Sequence, residues 1–246
     1  MVPGYNGYCG MRKIVVGVIL VIVFLVLVVL FFRHSIPRPQ KIQFTNVGTG
    51  IKYVPVGDSY TIGLGVAAKD CWPSVLTDHL IREGIDIHLV VNPAVSGYTV
   101  NDAAEMELAI VEEVKPDFVT VLIGANDNFR YMEAKKYRLE LQDLLNKLQP
   151  MMTDPKNIVL ITIPDYSVSP ALRRYPKEEI VSLVGEYNEI ILEEGEKRGL
   201  TVVDIFPLSQ TMTGDADYIS DGLHPSAQGY SKWERVIFPV VFDLLK

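Results

Sequence analysis

Four short runs hold the side chains whose types and spacing could do chemistry: Gly57-Asp58-Ser59, Ser96-Gly97, Gly124-Ala125-Asn126-Asp127 and Asp221-Gly222-Leu223-His224. A serine hydroxyl is a poor nucleophile at neutral pH. It needs a base within hydrogen-bond reach, and the base needs a group that orients it. The chain has four histidines. His34 lies beside an apolar run, His79 falls within an amphipathic pattern and His88 lies inside a strand-like run. His224 alone sits in a turn-prone loop, with Asp221 three residues before it and Pro225, which lacks a backbone donor and stiffens the chain, after it. Ser59 as nucleophile, His224 as base and Asp221 as orienting carboxylate would suit acyl transfer. That chemistry also needs donors for a developing oxyanion. The Ser59 and Gly97 N–H groups and the Asn126 amide are the candidates, and Gly97 lets the backbone approach a ligand closely. A base must be neutral, so the rate would rise with pH where a free imidazole titrates, at about 6.5.

Taken singly, each run has an ordinary explanation. Gly57-Asp58-Ser59 could be a plain turn after a strand, Asp221–His224 a helix-entry turn, and Asn126 a residue that tolerates unusual backbone angles. Asp58 and Asp127 read as hydrogen-bonders within their own loops. What joins the four runs is the elements between them. Short runs rich in Val and Ile predict strands at 52–56, 86–91, 118–123, 158–163 and 201–203. Longer amphipathic runs predict helices at 72–83, 100–114, 133–148, 177–198 and 227–245, with an N-cap at Asn101-Asp102 and a stop at Gly199. This alternation predicts an α/β fold, a three-layer α/β/α sandwich around a parallel five-stranded sheet. In such sheets ligands lie beyond the carboxyl ends of the strands, where the polar runs fall.

Ile14 to Phe32 has no charged or polar side chain. Its about 19 residues at about 1.5 Å each match a hydrocarbon core of about 30 Å. The run is longer than the apolar part of a signal peptide and no small-residue cleavage site follows it, so a single transmembrane anchor is expected. The expected organisation is a short tail over 1–13 (with Met11 as a candidate natural start), the anchor over 14–32, a Pro-containing linker over 33–50 and a catalytic domain over 51–246. Signal-anchor habit places that domain outside the cytoplasm on a single-pass cell-membrane protein, although flanking basic residues stand on both sides of the run. A net charge of −7 offers no basic face for nucleic acid. Cys9 and Cys71 flank the apolar run and form no disulfide framework, and Cys71 reads as a small buried hydrophobe.

The four runs resemble those of the SGNH hydrolases, or GDSL-type esterases and lipases, with Ser59, Gly97, Asn126 and His224 as the four name-giving residues. The resemblance covers about Tyr53 to Lys246. Trp72-Pro73 and Ile163-Pro164-Asp165-Tyr166 are similar to the lysophospholipase L1-like and arylesterase branch. The resemblance implies a flavodoxin-like fold, a Ser59–His224–Asp221 triad, an oxyanion hole of Ser59, Gly97 and Asn126, and hydrolysis of carboxylic esters or thioesters without metal or other cofactor. Tyr60 departs from the Leu or Ile common after the serine. Together with Tyr98 and Phe129 it is a candidate substrate contact, and the expected partner is a small-molecule or lipid ester. Two alternatives stand beside this: an O-acetylesterase for cell-envelope polysaccharide, using the same triad, and an inactive binding module on the same fold. No Gly-x-Ser-x-Gly occurs, which disfavours the α/β-hydrolase route.

Overall fold

The computed structural model describes residues 49–246. The expected tail, the anchor over 14–32 and nearly all of the linker lie outside the described residues. Among the described residues no helix is long and apolar enough to cross a membrane.

Five strands form one parallel sheet: β1 (Ile51–Gly57), β2 (Ile87–Leu89), β3 (Phe118–Leu122), β4 (Ile158–Ile161) and β5 (Thr201–Val203). Their order is β2-β1-β3-β4-β5, and every adjacent pair is parallel. The chain crosses from one side of β1 to the other after β2, so the topological switch point lies between β1 and β3. A crevice opens there by construction. β3 and β4 are buried along their whole lengths, which is why they read as unbroken apolar runs rather than alternating ones.

The long helices cover both faces. On one face α2 (Trp72–Arg82) packs against α8 (Ala227–Leu245). On the other lie α3 (residues 100–114), α5 (Ala134–Leu148) and α6 (Lys177–Arg198). Three short helices were not anticipated from the pattern: α1 (Ser59–Ile62), α4 (Ala125–Phe129) and α7 (Phe206–Ser209). At four or five residues they are too short to show a period. The N-cap of α3 also differs from expectation. Thr99, not Asn101-Asp102, caps it: the Thr99 side chain accepts from the Asp102 N–H while the Asp102 carboxylate accepts from the Thr99 N–H, a reciprocal capping box. α3 then widens into a π-helical turn over Ala103–Glu107.

The sheet ends bind the loops closely. A Cβ on Gly57 would stand 2.2 Å from Thr61 Oγ1 and 2.5 Å from the Leu122 carbonyl oxygen, so only glycine lets the chain leave β1 in this direction. Gly57→Ala is expected to lower stability by at least the about 1–3 kcal/mol typical of overpacking. Urea unfolding followed by circular dichroism would show this as a lower midpoint at unchanged slope.

Candidate active site

Asp58 ends the turn after β1 and caps α1. Its Oδ1 accepts from the Tyr60 N–H at 3.0 Å, and its backbone carbonyl accepts from Thr61. Ser59 is therefore the first helical residue, where the backbone N–H has no partner inside the helix. α1 stops at once because Gly63 turns left-handed (φ 76°). The serine is thus held on one tight turn between two fixed backbone points.

The loop before α8 brings the candidate base, His224. An antiparallel bridge joins Tyr218 to Pro225, and the Ile219 N–H donates to the His224 carbonyl at 2.9 Å. Within that loop the Asp221 carboxylate accepts from the Leu223 N–H at 2.8 Å and the His224 N–H at 3.0 Å. Its other oxygen lies 2.6 Å from His224 Nδ1. The opposite ring nitrogen, Nε2, lies 2.9 Å from Ser59 Oγ. Burial acts to raise the Asp221 pKa, but the hydrogen bonds from the His224 ring and the two N–H groups outweigh it and hold the carboxyl below its ordinary value. Asp221 is thus ionised at neutral pH. An ionised acceptor on Nδ1 fixes the tautomer that leaves Nε2 free to take a proton.

The third and second runs close the site. Gly124 (φ 126°) turns the chain out of β3 into α4, which carries Asn126. Asn126 Nδ2 donates to the Tyr98 carbonyl at 2.9 Å and to Asp58 Oδ2 at 3.3 Å. Gly97 takes a positive φ of 88°, and its carbonyl accepts from Arg130 at 2.9 Å. Asp127 is fully buried and accepts from the Val100 N–H, tying α4 to the start of α3. Asp58 fastens its own turn as expected, whereas Asp127 reaches across to α3 rather than within its own loop. Burial pushes each of them up to about 7.

The aromatic candidates divide. Tyr60 is buried beneath the imidazole, with ring centroids 5.6 Å from His224 and 5.5 Å from Trp233. Tyr98 is buried as well. Neither presents a face to solvent, because each lies at a tight turn whose inner side is the core. Phe129 is 40% exposed and stacks on Tyr166 at 4.4 Å. With Tyr131, Leu172, Tyr175 and Ile180 these rings line a cleft of about 240 Å³. Among the described residues no group of three or more His, Cys, Asp or Glu side chains is arranged to hold a metal ion, and Cys71 is a buried free thiol.

Residues 56–232 match the model of the GDSL-like lipase/acylhydrolase family, a span that takes in all four runs. The chain belongs to that family. It is a carboxylic ester hydrolase, similar to the arylesterase of Vibrio mimicus (25% identical over 180 residues, 72% of this chain and 81% of that one). It is similar also to the esterase TesA of Pseudomonas aeruginosa (31% identical over 190 residues, 77% of this chain and 87% of that one). Among solved structures, that of TesA superposes with a TM-score of 0.66 at 22% identity, covering 79% of this chain and 99% of the other. The three-layer fold is therefore shared.

Sequence reasoning missed one buried acid at the site: Glu107, whose carboxylate accepts from the Gly57 N–H at 2.9 Å. Its signal was an acid on the apolar stripe formed by Val100, Ala103, Ala104, Leu108 and Val111.

The raised carboxyl pKa values fix a pH dependence. An acid whose folded pKa lies above its unfolded value keeps its proton longer when folded, so folding weakens as pH rises from about 4 to about 7. Asp127→Asn removes one such group and should flatten the fall by up to about 1.4 kcal/mol per pH unit. Urea midpoints at pH 4.5 and pH 7.5 check it, and an unchanged difference between the two would exclude a neutral Asp127.

Proposed function

We propose that the chain is a membrane-tethered serine esterase that uses Ser59, His224 and Asp221 as a triad and cleaves esters carrying an apolar acyl chain. The observation that carries this reading is the imidazole of His224, 2.9 Å from Ser59 Oγ on one side and 2.6 Å from the Asp221 carboxylate on the other. Ser59 Oγ attacks the ester carbonyl carbon as its proton passes to His224 Nε2. The tetrahedral oxyanion takes hydrogen bonds from the Ser59 and Gly97 N–H groups and from Asn126 Nδ2. The longer of the two Asn126 bonds, that to Asp58 at 3.3 Å, is the one given up to the oxyanion. Collapse breaks the bond to the alcohol oxygen, which leaves with the proton held by His224. Water, deprotonated by the same imidazole, then releases the acyl group from Ser59.

The cleft beside α4 supports an acyl chain as the apolar part. Asn128 and Phe129 line it from the helix that carries Asn126, and the rest of its wall is rings and aliphatic side chains apart from Glu179. Three of them stay partly exposed: Phe129 at 40%, Tyr175 at 61% and Tyr131 at 79%. Such a surface gains by covering itself with a chain of several carbons rather than with an acetyl group.

The apolar run over 14–32 supports attachment to the cell membrane as a single-pass anchor, with residues 33–50 as the tether and the catalytic domain outside the cytoplasm. Protease added to intact cells would then remove the domain, and a domain that resists until lysis would reverse the orientation.

Activity is tested on p-nitrophenyl esters from C2 to C16. Turnover should peak at an intermediate chain length, Phe129→Ala should lower it more for that ester than for acetate, and Ser59→Ala should lower it for every ester by three or more orders of magnitude. A preference for acetate untouched by Phe129→Ala would favour the O-acetylesterase instead, and full activity in Ser59→Ala would sink the serine mechanism.

A further inference from the structure

β1 outlasts its neighbour on one side. β2 pairs only with Ile51, Lys52 and Tyr53, whereas β3 accompanies β1 from Tyr53 to Gly57. Along a strand the backbone groups of alternate residues face alternate neighbours. The Ile51 N–H donates to Asp86 at 2.7 Å and the Tyr53 carbonyl accepts from Val90 at 3.0 Å, so the odd-numbered residues face the β2 side. Pro55 and Gly57 face the same side, past the point where β2 has ended. Pro55 has no N–H to satisfy. Gly57 has one, and it is buried at the root of the nucleophile turn. A buried N–H left unpaired is costly, so an acceptor must be found.

Glu107 is that acceptor. It is fully buried, on the π-helical turn of α3, with Oε2 at 2.9 Å from the Gly57 nitrogen. Oε1 has no hydrogen-bond partner among the described residues. The other charged groups that face it are Asp58 and Asp102, both acids. Burial is the main cause that pushes its carboxyl well above the ordinary range, with those two acids adding to it. Burial thus favours the uncharged form of Glu107, and an uncharged acceptor oxygen is enough to take the Gly57 N–H.

We infer that Glu107 is a positioning residue for the nucleophile: its side chain stands in for the missing strand, pins Gly57 two residues before Ser59, and so keeps Ser59 Oγ within reach of His224 Nε2. The inference rests on Ser59 being the nucleophile. Glu107 touches no substrate, and it acts through the turn alone. Displacements of about 1 Å at a reacting group can cost on the order of 10²-fold in rate.

The test compares Glu107→Gln, which keeps an uncharged acceptor oxygen, with Glu107→Met, which fills the volume without one. Steady-state kinetics on a p-nitrophenyl ester are measured below the melting temperature of each variant. Glu107→Met should lose tenfold or more in kcat with KM within about threefold, and Glu107→Gln should restore kcat to within about threefold with an unchanged pH profile. Should the Met variant not fold, Glu107→Asp, one methylene too short to reach Gly57, carries the same expectation. A folded Met or Asp variant with wild-type kcat overturns the inference, since a purely structural role would lower the melting temperature alone. A Gln variant as impaired as the Met variant also overturns it. Ser59→Ala, run alongside, separates the two claims: if it stays active, the nucleophile assignment fails first.

Discussion

The contact between His224 Nε2 and Ser59 Oγ joins residues 165 apart in sequence, and the site depends on holding it at 2.9 Å. Neither side chain can do so alone. The serine is fixed from behind, by Asp58 capping its helix and by Glu107 on Gly57. The histidine is fixed from the side by Asp221 and by the bridge that closes its loop, and from below by Tyr60 resting on Trp233. The parallel sheet supplies the coarse placement, because its switch point lies between the paired strands β1 and β3, and the loops that leave them part there and open a crevice. The finer placement is the work of individual hydrogen bonds and ring contacts, some local, as at Asp58 and Asp221, and one, from Glu107 to Gly57, made from a helix 50 residues on.

The carboxyl groups around the serine are treated in two ways. Asp221, part-exposed and surrounded by donors, is held ionised. Asp58, Asp127 and Glu107 are buried and held towards the neutral form. The division suits acyl transfer. A fixed negative charge is useful where an imidazolium forms and harmful where an oxyanion forms, since like charges at close range repel strongly in a low-dielectric site. Beside the proposed oxyanion donors the buried acids therefore carry less charge than ordinary carboxylates and serve as hydrogen-bonding groups. Asn126 stands at the border between the two regimes, bonded to Asp58 at 3.3 Å and to a backbone carbonyl at 2.9 Å.

Much of the fold was legible in the sequence because its strands are short apolar runs and its long helices carry clear stripes. Helices 177–198 and 227–245 and the strand Thr201–Val203 match their expected bounds. The strand expected at 86–91 shrank to Ile87–Leu89, because pairing with β1 ends at Tyr53 and an apolar run alone does not say where a partner stops. The four polar runs were legible as a set since each sits at a chain turn. What they bond to was not. The descent of Tyr60 and Tyr98 into the core and the reach of Glu107 to Gly57 depend on elements distant in sequence or on the exit angle of a single turn, whereas the Thr99–Asp102 capping box is local and its Thr-x-x-Asp spacing was there to be read. Even so, an acid on the apolar face of 100–114 and a proline inside a central strand were both visible anomalies. The structure resolves them together, as a donor removed and a donor satisfied at the same unpaired strand edge.

The most direct test of the account is covalent. An alkyl phosphonate ester reacts with an activated serine and leaves a stable adduct whose position mass spectrometry can read. Incubation with excess reagent should inactivate the protein with one adduct per chain on the peptide containing Ser59, and His224→Ala should slow that labelling by orders of magnitude. Inactivation with the adduct on any other residue, or labelling of Ser59 at the same rate without His224, would contradict the account.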